Sequence, residues 1–368
     1  LTHTQQLKLS AMTLHADGEL TEYTLIDSTG TTYTQADLDA VSDTQDPARV
    51  DDVIATVAEA TGQQLRIALA QLAEIAATAP EACLAAVEPL VDLLPASPPA
   101  VQGEILGILT QIANSAPENT RPAVDPALDL MGTSTHPLVQ GEALSFLVIV
   151  AEYDPSAVTA GVPQIAAALR DDSVASEPAA RILAAVSQGQ PDALIDVVPK
   201  IELFLETEQS PAHVWALAAI GRLSKTHANI ATEAIPIAAR FIDADNTPLR
   251  SNAVGVLADL ADEYPDEVKP WVPDAIELLA DSDKLVRGNA SSILARVGKA
   301  YPDTVRPATD QLIAALDDDL VDTRFNACWA LKYIDATEAL PALREIAATD
   351  SDEDVRAVAQ LAIKNLEA

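Results

Sequence analysis

One pattern recurs about every thirty-seven residues, and nothing else in the sequence limits the fold so narrowly. Pro236 and Pro273 keep that step, and Asp310 stands where a third proline would come. Arg250, Arg287 and Arg324 repeat with it, as do Asn252, Asn289 and Asn326. The proline marker runs back through Pro199, Pro163, Pro126 and Pro89 and reaches forward to Pro341. A second series, Pro80, Pro117, Pro155, Pro191, Pro265 and Pro302, is read as marking the turn between repeats, with Ala228 replacing proline once. A fixed period of this length means stacked supersecondary units, each unable to bury its apolar face alone. The sequence therefore predicts an α-solenoid over residues 47–368.

Each unit reads as two helices. The core letters are Ala, Leu, Ile and Val with 4% aromatics, which suits close helix packing. A proline inside the first helix predicts a bend there, because it lacks an N–H and clashes with the preceding turn. Ala143, Ala180, Ala216, Ala253, Ala290 and Ala327 fall where the second helix must approach its neighbours most closely. The first pair is expected at Val50 to Ala60 and Gln63 to Thr78, with Gly62 between them. Residues 1–46 differ. Short alternating runs rich in Thr and Tyr, with Asp17-Gly18 and Thr29-Gly30 as turns, predict a small β-hairpin or meander that caps the first repeat. A short helix is expected at Gln35 to Val41, and a polar connector from Ser42 to Pro47.

The formal net charge is −34, from 22 Lys+Arg against 56 Asp+Glu. With 49% hydrophobic residues, disorder does not explain that imbalance. Dense carboxylates with few lysines resemble the proteins of salt-in halophiles, which implies a halophilic archaeal source. The competing reading is an acidic surface for basic partners. Cys83 and Cys328 lie far apart in apolar runs, which predicts reduced thiols and a cytoplasmic location. No signal peptide is expected. The longest apolar run, Ala143 to Ala151, is far too short to span a bilayer. The chain starts at Leu1, which leaves open a processed or truncated terminus.

The kinking proline, a turn acid at Asp171, Asp281 and Asp318, and an Arg early in the second helix together resemble HEAT repeats. Ser97, Ser134 and Thr207 replace the acid elsewhere, and Gly103, Gln140, Glu177 and His213 replace the Arg in the earlier units. The short last unit, with DSDEDVRAVAQLAI, looks like the bilin-lyase-type HEAT subfamily. The resemblance implies a right-handed superhelix of about eight or nine pairs. It also implies that Arg250, Arg287, Arg324 and Arg356 form a structural ladder onto turn carboxylates; the alternative is an anion-binding row. For Asn252, Asn289 and Asn326, with Trp215 in the same column, two readings stand. Related armadillo repeats hold an extended peptide by such a row, since an amide offers both donor and acceptor. Equally, the row would bridge adjacent helices. Trp329 and Phe325, one turn apart around Asn326, would add flat apolar contacts.

Chemistry is thinly represented. The five His are scattered, and no Cys pair has ligand spacing. Asp350, Asp352 and Asp354 imitate the start of a calcium loop, but Val355 and Leu361 stand where Gly and Glu are needed. Asp354 is read as a helix N-cap, and Asp317 to Asp319 as a solvated turn. Asn289-Ala-Ser291 is a glycosylation sequon inside a predicted helix. No metal and no cofactor are expected. The reading is a non-enzymatic scaffold, a monomer or part of a hetero-complex, that binds a protein partner on a concave strip through Trp215, Asn252, Asn289, Asn326 and Trp329. Nucleic-acid or chromosome association ranks second and a bilin-lyase-like enzyme third; no membrane association is expected.

Overall fold

A computed structural model describes residues 8–12, 23–26, 32–33, 50–170, 175–224, 226–227, 233 and 235–368. The turns expected at Asp17-Gly18 and Thr29-Gly30, the helix at 35–41, the connector at 42–47, Asp171 and Ala228 lie outside these residues. Near the N-terminus, the backbone forms three short antiparallel strands, β1 (Lys8–Met12), β2 (Tyr23–Ile26) and β3 (Thr32–Tyr33). They are ordered β1-β2-β3, with Met12 opposite Tyr23 and Ile26 opposite Thr32.

All else described is helix and turn, in nine pairs. They are α1 (Val50–Glu59) with α2 (Gly62–Thr78), α3 (Val87–Leu93) with α4 (Pro99–Ser115), and α5 (Val124–Thr133) with α6 (Pro137–Tyr153). Next come α7 (Val162–Ala167) with α8 (Ser176–Gly189), α9 (Val198–Leu205) with α10 (Ala212–Ser224), and α11 (Ile235–Ala238) with α12 (Thr247–Leu260). The last are α13 (Val272–Leu278) with α14 (Lys284–Ala300), α15 (Thr309–Ala315) with α16 (Val321–Tyr333), and α17 (Leu340–Thr349) with α18 (Glu353–Leu366). Chain contacts divide the molecule into two compact units, residues 1–186 and 187–368.

The prolines act at helix starts. Pro80, Pro117, Pro155 and Pro191 lie between repeats, each two residues after a second helix ends, and each is also the first residue of a 3₁₀ segment that leads into the first helix. Pro265 and Pro302 open single α-turns in the same place. The marker prolines then fall at the second or third residue of the α-helix proper, as Pro89 does in α3 and Pro273 in α13. First-turn N–H groups have no intrahelical partner, so proline there forfeits no hydrogen bond. The bend is thus a junction between a 3₁₀ and an α segment, with Ala86 (φ −80°, ψ −15°) and Val87 (φ −57°, ψ −52°) both helical across it.

Second helices start in several ways. Pro99 and Pro137 open α4 and α6 without a side-chain cap. In the C-terminal unit, Asn246 accepts from the Leu249 N–H, and Asp283 accepts from Leu285 and Val286. Asp352, not Asp354, caps α18 by accepting from Asp354 and Val355, so the helix begins one residue earlier than the expected Asp354. Gly62 opens α2 at φ +58°, a value that costs glycine little. The repeated alanines Ala143, Ala180, Ala216, Ala253, Ala290 and Ala327 are all buried, none more than 1% exposed.

Candidate functional site

In the C-terminal unit the second helices α10, α12, α14, α16 and α18 pack against one another in chain order and form a continuous layer. The Arg column lies along one edge. Arg250 donates from Nε to Asp281 Oδ2 (2.8 Å) and from NH2 to Oδ1 (3.2 Å). Its NH1 donates to the Ala244 carbonyl (2.5 Å) in its own turn. Arg287 does the same with Asp318 (2.5 and 3.2 Å) and the Asp281 carbonyl (3.0 Å). Arg324 follows with Asp350 (2.7 and 2.9 Å) and the Asp318 carbonyl (2.9 Å). Arg356 holds its own turn through the Asp350 carbonyl (2.7 Å). Arg250, Arg287 and Arg324 therefore each tie the turn of their own pair to the turn of the next, in the forked geometry that arginine provides.

The electrostatics follow. Burial alone would raise Asp281 and Asp318, but bonds from Arg250 and Arg287, and from the N–H groups of Asp283 and Leu320, outweigh it and hold both below the ordinary 3.8. The Arg324 bonds hold Asp350 low against a smaller opposing burial effect. Asp318 is therefore not a solvated turn residue, since its side chain is 8% exposed; in that run Asp319 faces water, at 72%. Asp350 and Asp352 are engaged the same way, with the Arg324 guanidinium and the α18 N–H groups. Among the described residues no group of three or more His, Cys, Asp or Glu gathers as metal ligands.

The Asn column occupies the layer's surface. Asn252 donates from Nδ2 to the Val214 carbonyl (2.8 Å), Asn289 to the Ser251 carbonyl (3.2 Å), and Asn326 to Ser291 Oγ (3.2 Å). Each amide thus bridges to the preceding second helix. One hydrogen per amide is used, and among the described residues no hydrogen bond reaches the three Oδ1 atoms. The two readings of the column are compatible: the row bridges helices and keeps a donor and an acceptor for something else.

Beside Asn252 and Asn289 lies a cleft of about 270 Å³ between α10, α12 and α14. Its lining includes Ala218, Gly221, Ser251 and Gly255, the charged Arg222 and Asp259, and Leu285, 54% exposed. A Cβ at Gly255 would sit 3.2 Å from Asn289 Nδ2, so glycine lets the amide lie across α12. Trp215 is at the exposed end of the same column, at 36%. Trp329 belongs to a different cluster on α16. It stacks on Tyr333 (centroids 5.5 Å, 21°) and meets Phe325 edge-on (6.3 Å). Lys332 Nζ lies 4.9 Å from the Trp329 centroid and 4.6 Å from that of Tyr333.

Of the strip expected from sequence, the structure joins Asn252 and Asn289 at one cleft and places Asn326 one helix further on, with Trp215 and Trp329 near the two ends. Sequence reasoning missed Gly221, Gly255 and Arg222 in the cleft, and Lys332 and Tyr333 in the aromatic cluster. The repeat columns held the signal, because Ala218, Gly255, Ser292 and Trp329 all lie five residues after the Arg position. The thiols are remote from all this. Burial pushes Cys83 up to about 11, and burial together with Asp350 pushes Cys328 up to about 12, which leaves both unreactive at neutral pH.

Residues 272–364 match the family model for HEAT repeats. No curated protein matches the sequence. Among solved structures, a designed armadillo repeat protein in complex with the peptide (KR)4 is 20% identical, with a TM-score of 0.51 over 56% of this chain and 99% of that one. An engineered protein is 23% identical, with a TM-score of 0.50 over 56% and 98%. A chain from work on the phosphorylation switch that controls the interaction between cadherin and beta-catenin is 15% identical, with a TM-score of 0.68 over 86% of this chain and 69% of that one.

Proposed function

We propose that this chain, a HEAT/armadillo-like repeat protein by fold, is a non-enzymatic scaffold that holds an extended segment of a protein partner across the second helices of its C-terminal unit. The contact strip runs through Trp215, Asn252, Asn289, Asn326 and Trp329. One observation carries the reading: three amides at equivalent positions each bond to the previous helix and keep the donor and acceptor that a peptide group needs. The cleft beside Asn252 and Asn289 gives a side chain room. That an armadillo-type relative of similar fold is solved with a bound peptide supports this reading.

Panning a random peptide library against the full chain, then measuring the selected peptides on an Asn252→Ala/Asn289→Ala/Asn326→Ala variant, tests it. The expected loss is roughly a hundredfold if each amide contributes about 1 kcal/mol. Equal affinity for the variant removes the row from the site. Nucleic-acid association ranks below this reading because the C-terminal unit holds 16 basic against 31 acidic residues. Bilin-lyase-like chemistry ranks lower still, with both thiols buried.

The remaining parts of the proposal are a cytoplasmic location, a halophilic source, a monomer or a hetero-complex subunit, and a capping role for β1–β3. Support comes from the paucity of lysine and from two buried free cysteines in the described structure. No helix of the described residues is long and apolar enough to cross a membrane.

A further inference from the structure

A chain of net charge −34 invites the expectation of a basic partner, but its acids are not evenly placed. Residues 287–300, 324–333 and 356–366 are the bodies of α14, α16 and α18, and they contain no Asp or Glu. At the density of the whole chain, 56 in 368, these 35 residues would hold about five. The three intervening stretches, 261–286, 301–323 and 334–355, hold 21. In this part of the chain the acids sit in first helices, in turns and in the first turns of α16 and α18, and the bodies of α14, α16 and α18 are left cationic.

The cations also converge. Positions one, five, eight, nine and twelve residues after the ladder arginine fall within about 100° of a helix circumference. Arg296, Lys299, Lys332 and Lys364 occupy that face, with the half-buried rings of Trp329 and Tyr333 and the exposed Leu361 between them. Two of the four are already engaged: Arg296 donates to the Ala258 carbonyl of α12, and Lys299 lies 3.4 Å from Asp262 in the turn after it. Lys332 rests over the Trp329 and Tyr333 rings, and neither it nor Lys364 forms a salt bridge among the described residues.

Building on the peptide-binding reading, we infer that the face of α14, α16 and α18 selects an acidic extended segment, with apolar side chains set between its carboxylates. The two unbridged lysines fix the sign. The Trp329–Tyr333 stack and Leu361 require apolar partners. Adjacent helices about 8–10 Å apart correspond to about three residues of extended chain, which sets the spacing between acidic positions. Two unbridged cations suit a short acidic segment, not a polyphosphate strand, which would meet repulsion from the rest of the unit.

The test uses the full chain and three labelled probes read by fluorescence anisotropy. They are a peptide of about ten residues alternating Glu or Asp with Leu and Phe, long enough to cross three helices at ~3.3 Å per residue, a Lys-Arg peptide of the same length, and an oligothymidylate. The acidic peptide is expected to bind best, to weaken with salt, and to lose roughly tenfold or more with Lys332→Glu/Lys364→Glu. Trp329→Ala should weaken it without altering its salt dependence. An unchanged melting temperature and circular dichroism spectrum keep the variants interpretable. Tighter binding of the Lys-Arg peptide overturns the charge selection and leaves the scaffold reading standing. Tighter binding of the oligothymidylate overturns the choice of partner class. No binding by either peptide overturns both readings.

Discussion

The two compact units follow one period but stabilise their turns with different chemistry. At the position of the ladder arginine the N-terminal unit has Gln140, whose Nε2 donates to the Ser134 carbonyl (2.7 Å). Arg250, Arg287, Arg324 and Arg356 make the same bond, six residues back in the sequence. The glutamine satisfies its own turn and stops there, whereas Arg250, Arg287 and Arg324 go on to the carboxylate of the next turn. Gln102 is another neutral version, donating to the Leu94 carbonyl (3.0 Å). Helix starts differ as well: prolines open α4 and α6 without a side-chain cap, Asn or Asp caps α12, α14 and α18, and α16 has neither. One backbone need is thus met by a neutral local bond at Gln140, and from Arg250 onward by charged bonds, which at Arg250, Arg287 and Arg324 also couple neighbouring repeats. The stretch that matches HEAT repeats, residues 272–364, lies inside the charged region.

The contrast is open to direct attack, beginning with the largest effect. Arg324→Ala strands Asp350, whose side chain is 2% exposed, and should cost about 3 kcal/mol or more. Gln140→Ala should cost about 1 kcal/mol. Trp215, Trp271 and Trp329 all lie in the C-terminal unit, so tryptophan fluorescence during urea unfolding follows that unit alone. Comparable costs for the two variants would erase the distinction.

Acid should separate the units next. Asp281, Asp318 and Asp350 have folded pKa values below 3.8, so the stability they give is complete above that value and is lost as pH falls through the lowered values. Burial raises Glu142 in the N-terminal unit, so protonation on the way down favours that fold. Glu202 is the exception on the C-terminal side, raised by burial and by Glu233 and Glu206. In an acid titration at high salt, fluorescence should therefore report loss of the C-terminal unit before the helical circular dichroism signal is exhausted. Loss in the opposite order contradicts the assignment.

Salt should act on both units, with a modest difference. Residues 1–186 hold 6 basic against 25 acidic residues, and residues 187–368 hold 16 against 31. Screening relieves self-repulsion, so stability should rise with salt, and more steeply in the N-terminal unit. The smallest effect is a transplant. Gln140→Arg retains the bond to the Ser134 carbonyl, and in the ladder register the sequence has Asp171 thirty-one residues on. A gain of about 1 kcal/mol is expected, read as a shift in the N-terminal unfolding transition. No gain would mean that the arginines need the surroundings of their own unit.

Much of the fold was legible because a repeat is a statement about equivalence. Residues thirty-seven apart occupy equivalent positions, so Arg250, Arg287 and Arg324 could be placed in one column from text alone, as could the six repeated alanines. Less of the site was legible. Asp318 reads as one acid in a polar run, and only the neighbouring Arg287 shows it to be held in the interior. Pro80 and its counterparts read as markers of the turn between repeats, and that each also starts a 3₁₀ segment is not written in the letter.

By itself the sequence determined the period, the pairing of helices, and the residue types that share a column. Those follow from spacing along one chain. Packing alone decided which atom of the neighbouring helix each Asn amide bonds, and that glycine opens α12 to Asn289. Those depend on how far apart and at what rotation successive helices lie, quantities that no repeat length contains.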